Sequence, residues 1–128
     1  MIAIDTNVLV RLIVADDPEQ TRRARVLAAE GPMFVPVTVI LETEWVLRAL
    51  YEIPTTDIAR ALRLTLETTV VEDRAAVERA LDLHARGLDL ADALHLARSS
   101  AADAFATFDT KLVRRAKKLA VRPPVRSP

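Results

Sequence analysis

The chain alternates between brief apolar or β-branched runs and longer stretches with helical periodicity, and two of the brief runs end in an acid. Met1-Ile2-Ala3-Ile4 runs into Asp5, and Ala104-Phe105-Ala106-Thr107-Phe108 runs into Asp109. This alternation restricts the fold more than any other feature. Strands separated by one or more helices have no tight hairpin to join them, so they pair in parallel, with helices packed on the sheet faces. In open α/β sheets the ligand site lies beyond the carboxyl ends of the strands, where Asp5 and Asp109 stand.

Read in order, strands are expected at Ile2–Ile4, Met33–Val35, Thr69–Val71 and Ala104–Thr107, with Ala120–Arg122 a candidate fifth. The first is apolar enough to be buried rather than half-exposed. Helices are expected from Asn7 to Val14, Pro18 to about Ala29, Thr38 to about Glu52, Thr55 or Thr56 to Leu66, Arg74 to Ala85, Asp89 to Ala101 and Asp109 to Lys118. The pattern predicts an α/β fold with a short parallel central sheet of four to five strands. One domain is expected over residues 1–122, and the proline-rich residues 123–128 are expected to be a flexible tail.

Composition narrows the chemistry. With 128 residues, 51% of them hydrophobic, there is enough apolar material for a substantial core. There is no cysteine, which excludes disulfides and thiolate-bound zinc or iron–sulfur centres. His84 and His95 are the only histidines, so any metal would be held mainly by oxygen, which favours magnesium or manganese. No apolar stretch reaches membrane-spanning length, so no membrane role and a cytoplasmic location are expected. The formal net charge is zero, but Lys111, Arg114, Arg115, Lys117, Lys118, Arg122 and Arg126 follow Asp109 with no acid among them. That basic end is either a solvated helix face or a landing place for phosphates, with Lys111, Arg114 and Arg115 the nearest contacts. Aromatic residues are few, and no stacking platform stands out.

Four acids carry the functional reading: Asp5, Glu42, Asp92 and Asp109. Asp5-Thr6-Asn7 can cap the helix that follows, orient a catalytic carboxylate, or both. At about 100° per residue, Glu42 falls on a helical wheel between Val46 and Ala49 and close to Val39. Glu44 pairs with Arg48 at i, i+4. Glu42 is therefore expected to face inward and Glu44 outward. Asp89 is the natural cap of the next helix, with Asp92 in its first turn and Asp92, His95 and Ser99 on one polar stripe. Asp109 can cap the last helix, with Thr107 beside it. Each acid has an ordinary explanation taken singly. Assembled together they repel one another unless a cation neutralises them, and magnesium or manganese suits that task.

In order and spacing, Ile4-Asp5-Thr6-Asn7-Val8-Leu9, Glu42 within Val39–Leu47, Asp92 within Asp89–His95, and Thr107-Phe108-Asp109 resemble the PIN domain. More narrowly, they resemble the VapC toxins of toxin–antitoxin pairs. The resemblance covers Ile2 to about Val121. It implies a three-layer α/β/α fold and an Mg2+- or Mn2+-dependent endoribonuclease. It also implies a homodimer and a VapB-like antitoxin that blocks the site. Carried across, Asp5, Glu42, Asp92 and Asp109 become metal-site carboxylates, and Thr6, Asn7 and Thr107 supporting polar residues. Two other α/β classes fit less well. A haloacid-dehalogenase-type phosphatase needs a second Asp where this chain has Asn7. A response-regulator receiver needs paired acids after the first strand and an Asp after the third. A non-catalytic nucleic-acid-binding or scaffold domain remains the alternative from a different class.

Overall fold

The computed structural model describes residues 1–128. The chain divides into two compact units, Met1–Arg74 and Ala75–Pro128. In the first unit the order is β1 (Ile2–Ala3), α1 (Thr6–Val14), α2 (Pro18–Glu30), β2 (Met33–Val35), α3 (Val37–Ala49), α4 (Thr55–Thr68) and β3 (Val70–Val71). The strands form a three-stranded sheet in the order β1-β2-β3. Both ladders are parallel, with Ile2 opposite Met33 and Phe34 opposite Val70. Each crossover carries two helices, since parallel strands cannot be joined by a tight hairpin.

Burial within this sheet follows position. β2 has a neighbour on each side and buries Met33 and Val35. β1 and β3 lie at the ladder edges, where Ile2 and Val70 are exposed and Ile4 and Val71 are buried. The expectation that Ile2–Ile4 is buried throughout is therefore corrected: an edge strand leaves part of its apolar sequence facing water. The helices close over the sheet with Val10, Ile40, Leu47, Ile58 and Leu62, all essentially inaccessible to solvent.

The second unit contains α5 (beginning at the boundary, Arg74–Ala85), α6 (Leu90–Ala97), β4 (Phe105–Ala106), α7 (Thr110–Lys118) and β5 (Val125–Arg126). Its core is built from Val77, Leu81, Leu90 and Leu96. α6 ends at Ala97, short of the expected Ala101. The Ser99 hydroxyl donates to the His95 carbonyl at 2.6 Å, a local bond that competes with continued helix. β4 and β5 form a parallel pair, with Phe105 opposite Val125 and Ala106 opposite Arg126.

The fifth strand thus lies at Val125–Arg126, inside the segment expected to be a flexible tail, and not at Ala120–Arg122. The reason is the end of α7. Ala120 takes a left-handed conformation (φ 53°). The Ala120 and Val121 amides donate back to Lys117 and Ala116 at 3.1 and 3.0 Å. This is the closing bond pattern of a Schellman motif, made here without glycine. It turns residues 120–122 away from strand geometry, and the chain pairs only after Pro123-Pro124. The short parallel strands and seven helices are the α/β class expected from the sequence.

Candidate functional site

Asp5 follows β1 and occupies the N-cap position of α1 with extended backbone (φ −83°, ψ 164°). Its side chain makes no capping hydrogen bond and is exposed. Only its carbonyl engages the helix, accepting from Val8 and Leu9 at 3.1 and 3.2 Å. Capping therefore does not occupy the Asp5 carboxylate. Thr6, next to it, is buried, and its hydroxyl has no hydrogen-bond partner within the protein. A buried polar group left so costs about 1–3 kcal/mol, an expense without evident structural return. Asn7 is exposed.

β1 and β2 run parallel, so Asp5 and the start of α3 lie at the same carboxyl edge of the sheet. α1 and α3 also pack against each other. α3 begins behind Pro36, whose side chain has no acceptor to offer as a cap. The Val37 amide, uncapped from within the helix, is instead met by Glu72, just past β3, whose Oε1 accepts it at 2.9 Å. Glu72 thereby seats the helix that carries Glu42. The sequence gives no local signal of that bond, which spans two crossover elements.

The wheel assignment of the two α3 glutamates is reversed. Glu44 is only 3% exposed, and its Oε1 accepts from Arg48 Nε at 2.8 Å. Glu42 is exposed. α3 buries Val37, Val39, Ile40, Thr43, Glu44 and Leu47, and Ile40, Thr43, Glu44 and Leu47 form a stripe at i, i+3, i+4 and i+7. Val39, itself buried, and half-buried Val46 lie near Glu42 on the wheel and made its side look like the inner one. Arg48, half-exposed, neutralises Glu44 and makes its burial tolerable. Glu42 is left free of that ion pair.

In the second unit, Asp92 is half-buried in the first turn of α6. Burial pushes its carboxyl above the ordinary aspartate range, and the negative charges of Asp89 and Asp109 push it the same way, partly opposed by His95. The fold thus gathers Asp89, Asp92 and Asp109 within electrostatic reach of one another. Asp89 caps α6, its Oδ2 accepting the Asp92 amide at 3.3 Å. Asp109 caps α7 through one oxygen: Oδ1 accepts from the Lys111 and Leu112 amides at 3.0 and 3.1 Å. Thr107 Oγ1 accepts the Asp109 amide at 3.0 Å, so it fixes the backbone that carries Asp109. His95 is exposed and its ring stacks on Phe105, with centroids 6.3 Å apart. Among the cations of α7, Arg115 donates to the Gly87 carbonyl at 2.9 Å. Lys111 and Arg114 are exposed and make no side-chain hydrogen bond.

No three acidic or histidine side chains stand close enough together to hold a metal ion. The donors present do suit a hard divalent cation in kind. They are carboxylate oxygens, and the acids around Asp92 repel one another until a cation intervenes. Magnesium is commonly held by one or two carboxylates, several waters and a substrate phosphate rather than by a closed protein cage.

A cavity of about 700 Å3 lies between α1 and α2. It shares only Asn7 with the residues above and is otherwise lined by Val8, Arg11, Arg23 and Leu27 among others. Arg11 is held there by Gln20, Asp16 and Tyr51, a bond set that sequence reasoning missed because its members are far apart in the chain. The acids, not this groove, carry the candidate chemistry.

No helix is long and apolar enough to cross a membrane. No curated protein and no solved structure matches the chain. The PIN domain family model matches residues 2–118, a span that includes every acid discussed and reaches across both units. The short parallel strands, the many helices and that match agree, and the chain belongs to the PIN domain family.

Proposed function

We infer that the protein is an Mg2+- or Mn2+-dependent endoribonuclease. Asp5, Glu42, Asp92 and Asp109 hold the cation, and residues 1–122 act as one catalytic domain. The observation that carries this reading is the Asp5 carboxylate. It stands exposed at the carboxyl end of a strand, free of the capping bond its position invites, in a chain of a family whose fold is generally a nuclease fold. A bound divalent cation supplies the charge that activates water and offsets the negative charge developing on a phosphodiester.

The chain's own residues do the rest. Asp109 is oriented by two backbone amides on one oxygen, which leaves Oδ2 outside the cap. Thr107 holds the turn beneath it. Thr6 and Asn7 flank Asp5 as supporting polar groups. Lys111 and Arg114 receive substrate phosphates, with Arg115 as a third contact if it releases Gly87. RNA of this kind is recognised by shape and unpaired bases rather than by a sequence code in a groove.

The order and spacing of the acids support a narrower role: the toxin of a VapBC-like pair, acting in the cytoplasm, with a VapB-like antitoxin as its inhibitor. Trp45 and Leu50, on or just past α3, and Leu64 on α4 are exposed apolar residues, which supports a homodimer through those helices. A neighbouring reading frame that encodes a small DNA-binding protein would test the toxin role.

One observation favours a second reading, a non-catalytic nucleic-acid-binding domain: no three acids are gathered closely enough to hold an ion. Mn2+ separates the two. The nuclease reading expects a raised melting temperature with Mn2+ and RNA cleavage that stops with EDTA. RNA binding with neither effect favours the second.

A further inference from the structure

Phe108 is 88% exposed, the most exposed large hydrophobic side chain in the protein. A single surface apolar residue needs no explanation by itself. Three features set this one apart. First, it sits in a constrained turn. Its neighbours are fixed by the Thr107–Asp109 bond and by the two amides that Asp109 accepts, so little entropy remains to be lost when a ligand meets the ring. Second, cations approach from two separate segments. Lys111 and Arg114 lie in the first turns of α7. β5 brings the Arg126 backbone alongside, its carbonyl accepting the Thr107 amide at 3.0 Å, while the Arg126 Nε donates to the Ser127 carbonyl at 3.2 Å and leaves the rest of the guanidinium for a phosphate. Third, no acid follows Asp109 in the chain, so every charged side chain that α7 and β5 contribute is a cation.

An exposed ring among cations is the combination that takes an unpaired nucleotide, the ring receiving the base and the cations its phosphates. We propose that Phe108 stacks on an unpaired base of RNA, with Lys111, Arg114 and Arg126 on the adjoining phosphates, and so positions the strand beside Asp109. The stacking platform that the aromatic content did not suggest is this one ring, displayed by the turn. The proposal rests on the nuclease reading for its purpose but not for its test. Phe108 acts as a positioning residue, since its ring has no chemistry to offer the phosphodiester.

The test is binding of a short, labelled single-stranded RNA of mixed sequence, in EDTA, by fluorescence anisotropy. Phe108→Ala and Phe108→Leu are expected to bind roughly tenfold to a hundredfold more weakly, and Phe108→Trp to bind as the parent does. Leucine keeps the apolar surface and loses the stack, so it separates stacking from simple greasiness. Replacing Lys111, Arg114 or Arg126 by Gln should each lower the salt dependence of binding by about one counterion's worth. In Mn2+, Phe108→Ala should raise KM and leave kcat nearly unchanged.

Unchanged affinity in Phe108→Ala and Phe108→Leu overturns the proposal. So does a loss of affinity accompanied by a shift from dimer to monomer in sedimentation, which makes Phe108 a contact between copies of the chain. If the parent binds RNA through Phe108 but does not cut it in Mn2+, the stacking stands and the nuclease reading fails. If it cuts RNA and Phe108→Ala is unaffected, the reverse holds. A parent that binds no RNA at all refutes both.

Discussion

Asp5 in the first unit and Asp109 in the second occupy the same kind of position. Each follows a strand, has extended backbone and precedes a helix. Yet Asp109 gives one oxygen to two helix amides and Asp5 gives none. The surroundings differ as well. Asp109 lies near Asp89 and Asp92 and helps hold the Asp92 carboxyl above its ordinary range, whereas the free Asp5 carboxylate adjoins a buried hydroxyl without a partner. Position in the fold thus does not fix what an acid does. In the second unit Asp89 and Asp109 both cap helices. In the first, the Asp5 carboxylate makes no capping bond and stays exposed.

The largest effect expected from this contrast is on catalysis. Asp5→Asn and Asp92→Asn should each lower the rate of RNA cleavage by roughly a hundredfold or more, on the scale at which disturbing a metal site costs activity. Circular dichroism should show both variants folded. If only Asp92→Asn is impaired, the first unit is not part of the site.

Stability should sort the two α3 glutamates in the opposite way from activity. Glu44→Ala removes a buried ion-pair partner and should cost about 1–3 kcal/mol in urea unfolding. Glu42→Gln should stay within about 0.5 kcal/mol, as exposed substitutions do, while slowing cleavage. Equal destabilisation by both breaks the assignment of Glu44 as the structural acid.

A smaller effect tests the caps. Asp109→Ala should cost about 1 kcal/mol through the lost α7 cap, and Asp5→Ala close to nothing, compared by thermal melting of the metal-free protein.

The smallest effect is a pH dependence. Because the folded pKa of Asp92 is raised, the unfolded chain loses this proton first as pH rises. The resulting loss of stability is absent below the unfolded value near ~3.9 and fully present above the folded one. Asp92→Asn should therefore stabilise the metal-free protein at neutral pH and not at about pH 3. The urea midpoint at the two pH values checks this, and a stabilisation that persists in acid contradicts it.

Much of the fold was legible because short apolar runs and 3.6-residue periodicity are local signals. β2, α1 and α5 fall within a residue of where the pattern puts them. What escaped was non-local. β5 is two residues long and pairs only because α7 ends in a left-handed alanine that sends the chain back beside β4. Glu72 meets α3 across thirty-five positions of sequence. Glu42 and Glu44 were exchanged because α3 is apolar on two faces, and only packing selects the inner one. The candidate acids were legible by type and spacing. Whether each carboxylate was free or engaged was not, since an N-cap position looks the same in sequence whether or not the side chain makes the bond.

The proposed function depends on Asp5 and Asp92 both being needed for metal-dependent cleavage. The measurement that tests it most directly is the Mn2+-dependent cutting rate of the Asp5→Asn/Asp92→Asn double variant on single-stranded RNA, set beside the parent protein. The account predicts that the parent cuts, that EDTA stops it, and that the folded double variant does not cut. A double variant that cuts as fast as the parent contradicts it.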